Sequence, residues 1–403
     1  MKYLFFTPEL GGMGGTQMFV YNKGLFLSKL GWEVCFCYFT KSEIKIKGID
    51  SFRNYYLPES IWGIEHFSKH SVSKRIDDII TGLGLCADEE TVIESNLMSL
   101  SFWAEILAER IRARHILNCL EENIPHYHKE VYKYLEFKLK RWECMNASEK
   151  SLKRTFKEHY IPEYLQYENL IKTPCSNVLT EEETIIDIQP YTKADYNIIS
   201  IGRLDKPYIP KTISELIRIC NAHRDKTFNV VFVGASKDGM VERTIKEQLG
   251  KLNNVKAFFL GYMFPIPAAL LGCMNVSIAT SNSVLVSYNY GIPTIAVDAQ
   301  DYDAIGIYGY NTTNKVFRKE EPVISVGEYL DKILFDKAFI YKKDEIVSAD
   351  DSEEEFTRQL NYLLKFTGGK DYYPVQNLYN MIERIKGTII RVLYIMKHSL
   401  IRV

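Results

Sequence analysis

Two cations follow a buried strand in the C-terminal half of the chain, and together they could bind a diphosphate. The apolar strand 197–201 ends in Gly202-Arg203, and Lys211 begins the helical pattern that comes next. Ligands of open α/β sheets bind outside the carboxyl ends of the strands. A cation in the first turn of a helix adds to the helix dipole in neutralising an anion. Arg203 and Lys211 could also be two solvated surface cations, but their position favours a phosphate ligand.

A run of small polar residues, Ser-Asn-Ser at 281–283, follows a second predicted strand, 276–280. Such residues are typical of a helix N-cap. The helix is predicted over 284–290, and Gly291 ends it. Ordinary capping is the alternative interpretation, and it would hold equally if the helix end binds phosphate.

A glycine loop, GGMGG at 11–15, connects the predicted strand 2–7 to a helix beginning at Thr16. Backbone N–H groups and the positive helix end could face an anion there, and glycines let a ligand approach the backbone closely. A tight turn is the alternative. The dinucleotide fingerprint would need a third glycine where Gln17 stands, which argues against a nucleotide-dependent dehydrogenase.

Strands and helices alternate twice along the chain, which predicts an α/β protein. Further buried strands are predicted at 32–40, 91–95 and 115–120, and the alternation resumes from 197 to about 297 after a polar, acidic connection at 176–196. This order predicts two facing doubly wound, Rossmann-like domains with an interdomain cleft. The expected divisions are an N-terminal domain at 1–180, a C-terminal domain at 195–370, and a C-terminal helix at 371–403.

The composition is that of an ordinary globular protein and excludes several functional classes. The chain has 403 residues and a net charge of −1, which argues against a general nucleic-acid binder. Eight scattered cysteines without a CxxC pair indicate free thiols in a reducing compartment and predict no metal site. No signal-peptide pattern and no apolar stretch of about 20 residues is visible, so we expect a cytoplasmic protein.

These motifs, in this order, make the chain similar to the retaining glycosyltransferases of family 4, which have the GT-B fold. The matching stretches lie in both halves of the chain, at 11–34, 199–217, 230–234, 258–262 and 275–298, the last including GIPTI at 291–295. The resemblance implies a transferase that takes a sugar from a nucleotide diphosphate sugar, with no other cofactor. No metal is implied, because cations and a helix end would offset the leaving-group charge.

The resemblance also implies roles for individual residues. Contacts to the donor diphosphate are implied for Arg203, Lys211, Gly14, Gly15, Ser283 and Val284. Positions near the base, ribose or sugar are implied for Gly261, Tyr262, Ser281, Asn282 and Val286. The N-terminal domain would hold the acceptor, which is expected to be a glycan or a lipid-linked glycan of surface polysaccharide assembly.

One departure from the family pattern bears on activity. The family has two glutamates seven residues apart before the glycine-proline step, whereas Val286 stands at the second position and Asn282 or Ser281 at the first. Each lost contact to a donor hydroxyl costs about 1–3 kcal/mol. A non-catalytic relative that binds an active transferase is therefore the alternative function.

No catalytic base can be assigned from the sequence. The candidates are Glu94, Glu121 and Glu122, which follow strands of the N-terminal half and could face the cleft. Ordinary surface carboxylates are the alternative for all three.

Two basic segments suggest how an acceptor in a membrane could be reached. Residues 129–157 contain nine Lys or Arg, four Glu and interleaved aromatics, and residues 379–403 contain five Lys or Arg and one Glu. A basic amphipathic helix can lie on an anionic leaflet. The alternative for the C-terminal segment is a helix that packs back across the domains.

Overall fold

The structure, a computed structural model, divides into two compact units. The first comprises Met1–Cys175 and Asp351–Val403, and the second comprises Ser176–Asp350. The residues that the structure describes are 1–11, 14–44, 46, 48–87, 89–120, 127, 129–146, 149–164, 171, 186–236, 239–263, 266–336, 352–366 and 370–400. The two-domain α/β fold predicted from the sequence is confirmed.

The regular elements alternate as expected. The strands are β1 Lys2–Glu9, β2 Glu33–Thr40, β3 Arg53–Tyr56, β4 Thr91–Ser95, β5 Arg114–Asn118, β6 Cys144–Met145, β7 Tyr196–Ile201, β8 Phe228–Val233, β9 Val255–Phe259, β10 Val276–Ala279, β11 Thr294–Val297 and β12 Ala304–Ile307. The helices are α1 Gly15–Lys29, α2 Lys69–Leu83, α3 Met98–Ile111, α4 Lys129–Lys140, α5 Glu149–Phe156, α6 Ile209–Ala222, α7 Met240–Leu249, α8 Ala268–Gly272, α9 Ser283–Asn289, α10 Val326–Leu334, α11 Ser352–Phe366 and α12 Met381–Leu400.

Each unit is built on a six-stranded sheet. The first sheet has the order β3-β2-β1-β4-β5-β6, and all its strands are parallel. The second has the order β12-β11-β10-β7-β8-β9, and only β12 runs antiparallel to its neighbour. The central strands are buried on both faces, which explains their unbroken apolar runs.

Both C-terminal helices pack on the first unit, whereas the sequence analysis assigned residues up to 370 to the second domain. The ring of Phe356 in α11 lies 6.0 Å from that of Phe19 and 5.6 Å from that of Phe26, both in α1. The hydroxyl of Tyr362 donates to the carbonyl oxygen of Trp142 at 2.6 Å. The amphipathic pattern of α11 predicts a helix but does not indicate which unit covers its apolar face.

The basic and aromatic segment 129–157 forms α4, β6 and α5, and much of it is interior. The side chains of Tyr132, Tyr134 and Phe156 are buried in the apolar core of the first unit. Lys133 pairs with Glu130, and Lys153 pairs with Glu149. Three of the five aromatic residues of this segment therefore fill a core, and the structure gives no support to the suggestion that the segment faces a membrane.

A buried ionic network joins α3, β5 and α4 of the first unit. The ammonium of Lys138 lies 2.6 Å from the carboxylate of Glu105 and 2.9 Å from that of Glu143. Glu105 also accepts from Nδ1 of His115 at 2.6 Å, and the Nε2 of His115 lies 2.9 Å from Ser95 Oγ. Since Nδ1–H donates to the carboxylate, Nε2 of the neutral ring accepts from the hydroxyl of Ser95.

The pKa values in this network follow from burial and from the shared lysine. Burial lowers the pKa of His115 to about 4, with a further contribution from the charge of Lys138. Burial alone would raise the pKa of Glu105, but Lys138 and His115 outweigh it and hold that pKa at about 2. The cluster therefore holds a charged carboxylate, a charged ammonium and a neutral imidazole at neutral pH.

Replacement of the central lysine should unfold the first unit at lower denaturant concentration. Lys138→Met leaves the buried carboxylate of Glu105 without a cation and that of Glu143 with Arg141 alone, which costs about 3–5 kcal/mol of unfolding free energy. All four tryptophans, at 32, 62, 103 and 142, belong to the first unit, so tryptophan fluorescence in urea reports on that unit alone. Lys140→Met, which removes an exposed partner of Glu136, is the matched control and should cost less than about 1 kcal/mol. Equal losses in the two variants would contradict this assignment.

Stability of the first unit should fall between pH 7 and pH 5 because of His115. The unfolded imidazole takes up a proton near pH 6.5, whereas the folded ring stays neutral down to a pKa of about 4. The unfolded chain thus binds more protons in this window, and the unfolding free energy decreases as the pH falls. The loss from this group alone is about 2 kcal/mol between pH 7 and pH 5. His115→Gln should show a correspondingly shallower slope in tryptophan-monitored unfolding, and an unchanged slope would count against this origin.

Candidate functional site

The second sheet reverses its strand order between β7 and β10. From β7 the chain moves outward to β8 and β9, and it then returns to the other side of β7 with β10. At such a switch point the loops at the carboxyl ends of the two strands diverge and leave a crevice for a ligand. Arg203 follows β7, and Ser281 and Asn282 follow β10. The topology therefore brings together three of the predicted site residues at one edge.

Glycines line this edge at the ends of three neighbouring strands. Gly202 and Gly234 have φ of +144° and +138°, and a Cβ atom on Gly234 would collide with the carbonyl oxygen of Gly202. The N–H of Gly234 donates to the carbonyl oxygen of Gly261 at 2.7 Å. The glycine at 234 thus lets the backbone that follows β8 pack closely against the backbone that follows β7.

The side chain of Arg203 is half exposed beside this edge. Its Nε lies 3.6 Å from Oδ1 of Asp205, which is too long for a strong hydrogen bond. Its position after the central strand β7 agrees with the predicted location at a carboxyl end. The guanidinium is thus available to exchange a loose carboxylate partner for an anion.

Lys211 lies in the first turn of α6, as predicted, but it already has an anionic partner. Its ammonium is 2.7 Å from Oδ1 of Asp303, immediately before β12, and it also donates to the carbonyl oxygen of Asp301 at 3.2 Å. Both charged side chains of the Lys211–Asp303 pair remain partly exposed. An anionic ligand would compete with Asp303 for this lysine.

The residues after β10 form a turn that differs from the predicted helix cap. Ser281 has a φ of +60°, a costly conformation for a residue with a Cβ atom. Its N–H donates to the carbonyl oxygen of Lys315 at 2.6 Å, and the ammonium of Lys315 donates to Oδ1 of Asn282 at 2.7 Å. Asn282 occupies the N-cap position, but its side chain makes no capping hydrogen bond. The turn therefore binds a third cation, Lys315, at the edge that carries Arg203.

The helix that begins at Ser283 offers fewer groups to a ligand than the sequence suggested. Its seven residues start with the N–H of Val284 bonded to the carbonyl oxygen of Ser281 at 3.2 Å and that of Leu285 bonded to Asn282 at 3.1 Å. The side chain of Val284 is fully buried, and that of Val286 packs with Ile199, Ile201 and other core residues. Neither valine side chain is accessible to a ligand, because Val284 packs with a cluster formed by β10, β11 and β12 and Val286 with one formed largely by β7 and β8.

Gly261 and Tyr262 lie beyond β9, at the far end of the same edge. Gly261 has a φ of +65°, and the partly exposed Tyr262 donates its hydroxyl to the carbonyl oxygen of Ala235 at 3.3 Å. Two strand spacings separate β9 from β7, which is about 10 Å. That distance suits a ligand with an anionic end near Arg203 and a planar end near Tyr262.

The glycine loop belongs to the first unit and is described there by itself. Gly14 is the N-cap residue of α1 and Gly15 its first residue, so the predicted strand–loop–helix order is present. A Cβ atom on Gly14 would collide with the side chain of Gln17, the residue that breaks the dinucleotide fingerprint. Because Gly14 has no side chain, the side chain of Gln17 can lie beside the N-terminal end of α1.

Glu94, one of the candidate bases, is neither a surface carboxylate nor an accessible one. It is fully buried in β4, and its Oε2 accepts from the ammonium of Lys23 at 2.6 Å and from the hydroxyl of Tyr3 at 2.7 Å. Its Oε1 accepts from the amides of Asn96 and Asn118. Burial alone would raise the pKa of Glu94, but Lys23 and these hydrogen bonds lower it below its usual range. Glu94 is therefore a charged structural group of the first unit.

Two further glutamates are candidate bases. Glu121 and Glu122 lie outside the described residues. Within the described residues, no group of three His, Cys, Asp or Glu side chains could hold a metal ion, and the independence from metal stays a prediction. Within the same residues, no helix combines the length and apolar character needed to cross a membrane.

Sequence reasoning missed Asp303 and Lys315, which hold the predicted residues Lys211 and Asn282. Both lie in irregular loops, far along the chain from their partners, where no periodic pattern marks a contact. The acidic run DAQDYD at 298–303, directly after a buried strand, is the one sequence signal that points to charges at this edge.

Comparisons with solved structures identify the fold. A glycosyltransferase from Rickettsia africae superposes with a TM-score of 0.56 and 13% identity, over 96% of this chain and 97% of that one. HepE from Anabaena, in complex with UDP-glucose, gives a TM-score of 0.52 and 13% identity over 98% and 100% of the two chains. The fold is GT-B. A putative UDP-N-acetylglucosamine 2-epimerase from Listeria monocytogenes matches with a TM-score of 0.52 and 10% identity, over 93% and 99%.

These similarities establish the GT-B fold and no activity, since every identity is far below the level at which function is shared. No protein-family model and no curated protein sequence matches the chain. The family-4 membership and the retaining mechanism suggested by the sequence motifs therefore stay predictions. The residues at the edge of the second sheet are the features of this chain that bear on function.

Proposed function

We propose that the chain is a glycosyltransferase that binds a nucleotide diphosphate sugar at the switch point of the second sheet. The observation that carries this proposal is the pair of cations, Arg203 and Lys211, placed after β7 at the end of a GT-B sheet. Each has a partly exposed side chain and a carboxylate partner that an anion could replace.

The chemistry of this edge is suited to a diphosphate leaving group. When the bond between the sugar and the diphosphate breaks, negative charge builds up on the bridging oxygen. Fixed cations stabilise that charge without a metal ion. Arg203 offers a planar fork of donors and Lys211 a compact charge, which together fit the oxygens of two neighbouring phosphates.

A uridine diphosphate sugar is the donor that we propose. Support comes from the solved neighbours, since HepE binds UDP-glucose or UDP and MnaA of S. aureus binds UDP. The nucleoside would lie toward Gly261 and Tyr262, about 10 Å along the edge from β7. Gly14 and Gly15 are proposed to approach the donor from the first unit, and transfer with retention of configuration is part of the proposal.

The acceptor is proposed to be a glycan or a lipid-linked glycan of surface polysaccharide assembly. Two solved neighbours support this acceptor class. One is the lipopolysaccharide outer-core galactosyltransferase WaaB, and the other is TarM of S. aureus, which was solved with UDP and a glycosylated glycerol. We also propose that the protein works in the cytoplasm at the inner face of a membrane.

A catalytically degenerate binding protein is the second candidate, and one observation favours it. At the positions where the sequence motifs lead one to expect two glutamates, the structure has Asn282 bound to Lys315 and Val286 in the core. Neither supplies a carboxylate to a donor sugar. Such a protein would bind the nucleotide and an active transferase but would not turn the donor over.

Donor hydrolysis and transfer assays with a panel of nucleotide sugars separate the two candidates. We expect release of the nucleoside diphosphate from a uridine diphosphate sugar, with equilibrium binding measured in parallel by calorimetry. Binding without release for every donor would favour the degenerate protein. Failure to bind any nucleoside diphosphate would contradict both candidates.

Loss of either cation should weaken UDP binding. Arg203→Ala and Lys211→Ala each remove a charge-assisted contact, so we expect roughly a tenfold higher dissociation constant for each. Arg218→Ala is the matched control, because Arg218 is an equally exposed cation in the same helix α6 that pairs with Glu215. UDP affinity that is unchanged in both site variants, or reduced as much in the control, would show that the site lies elsewhere.

Removal of the competing carboxylate should strengthen UDP binding. Asp303→Asn frees Lys211 and removes a negative charge from the edge, so we expect about a threefold lower dissociation constant, in line with a partly exposed ion pair. The matched control is Asp331→Asn. It makes the same charge change in the same unit, but it removes the carboxylate partner of His223 and Arg218. Weaker binding in Asp303→Asn would mean that Asp303 orients the lysine rather than competing with the ligand.

A further inference from the structure

Helix α12 packs on the first unit through polar and aromatic contacts rather than aliphatic ones. The guanidinium of Arg384 donates to the carbonyl oxygens of Ile64 and Phe67 at 3.0 and 2.8 Å. A Cβ atom on Gly387 would lie 2.6 Å from the carbonyl oxygen of Glu65, so the helix approaches that backbone closely. Surface helices of globular proteins usually turn their apolar side to the core, and α12 does the opposite.

The aliphatic side chains of α12 consequently face away from the first unit. An outer stripe runs along the helix at a spacing of three to four residues, with each side chain between 49% and 65% exposed. Its members are Ile382, Ile385, Ile389, Leu393 and Met396. At 1.5 Å per residue the outer stripe is about 21 Å long. A contiguous exposed apolar surface of this length on one helix marks a site of association.

We propose that the outer stripe of α12 inserts into the surface of an anionic lipid bilayer, with the helix lying in the plane of the interface. This inference rests on the proposed location at a membrane and names the helix that binds the lipid, but it requires no property of the donor site. The first unit then lies against the bilayer through α12, because the opposite side of this helix packs on that unit.

The charges on α12 agree with an anionic lipid surface. Lys386 is exposed on the same side as the outer stripe, between Ile382 and Ile390. The one acidic residue of the helix, Glu383, has its carboxylate bonded to the N–H of Asn380 at 2.7 Å, away from the stripe. The two arginines Arg384 and Arg391 face the first unit instead, so Lys386 is the cation that α12 offers to lipid among the side chains that the structure describes. Cations beside an apolar face attract anionic headgroups while the aliphatic groups enter the acyl boundary.

The width of the apolar surface favours a bilayer over a second copy of the chain. When two helices pair as a coiled coil, each buries a narrow seam that is formed by two of every seven residues. On α12 the exposed aliphatic surface extends beyond such a seam, because Ile390 and Val392 lie on the two flanks of the outer stripe and are 57% and 44% exposed. A helix pair would leave these side chains in water, whereas a bilayer surface accommodates the full width.

Co-sedimentation of the full chain with vesicles tests the proposal. We expect binding to phosphatidylcholine vesicles that contain phosphatidylglycerol, and a loss on the order of tenfold or more in the triple variant Ile382→Ser/Ile389→Ser/Leu393→Ser. The matched control Leu30→Ser/Ile44→Ser/Val323→Ser removes three exposed aliphatic side chains from other surfaces and should bind like the unaltered chain. Lys386→Gln should weaken binding about fivefold with phosphatidylglycerol present and leave binding to neutral vesicles unchanged.

Three results would overturn the proposal. The first is that the unaltered chain does not bind vesicles. The second is that the triple variant binds vesicles as well as the unaltered chain does. The third is that the triple variant loses self-association in the absence of lipid while its binding to vesicles is unchanged. The third result, measured by analytical ultracentrifugation, would assign the outer stripe to a second copy of the chain. Tryptophan-monitored urea unfolding checks that the triple variant keeps a folded first unit, and UDP affinity, which should not change, keeps this test separate from that of the donor site.

Discussion

Charge neutralisation at the edge of the second sheet is the constraint on which the proposed function depends. A diphosphate needs fixed cations, yet cations gathered around an empty crevice would repel one another. The structure meets both needs because Arg203 and Lys211 each have a carboxylate partner, in Asp205 and Asp303. When a diphosphate binds, each cation exchanges its carboxylate for a phosphate. The affinity for the diphosphate therefore reflects the difference in free energy between the cation–phosphate pair and the cation–carboxylate pair. The partial exposure of these pairs keeps the exchange inexpensive, since little desolvation is involved.

The first unit uses its charges in the opposite way. Glu94 with Lys23, and Glu105 with Lys138, are buried and enclosed by further hydrogen bonds, so no solvent or ligand can take a partner's place at low cost. Such networks hold neighbouring strands and helices in one arrangement, because separating any one charged group from its partners costs free energy. The same residue types thus support ligand exchange in one unit and rigidity in the other, and the difference lies in burial.

The sequence could predict the strands, because buried parallel strands are unbroken apolar runs, and it could place Arg203, because the residue after such a strand lies at its carboxyl end. It could not predict that Val286 lies in the core. Alignment to a family motif puts that position beside a sugar, whereas the period of α9 turns its side chain toward Ile199 and Ile201. It also could not pair Lys211 with Asp303 or Asn282 with Lys315, because those contacts join loops that only the folded sheet brings together. The basic aromatic segment 129–157 shows the same limit, since composition does not distinguish a core aromatic from a surface one.

The GT-B fold does not choose between sugar transfer and epimerisation, since solved neighbours of both kinds share it. We base the choice between them on the chemistry of the edge. Epimerisation at a carbon next to the reacting bond requires a base that removes a proton, and transfer requires that the leaving diphosphate be stabilised. Among the described residues of this edge, the carboxylates of Asp205, Asp301 and Asp303 are each paired with a cation. An anionic ligand that displaces Asp303 would repel the freed carboxylate, so Asp303 is poorly placed to approach the sugar as a base. The cations of this edge can accept a phosphate, and for that reason we propose transfer.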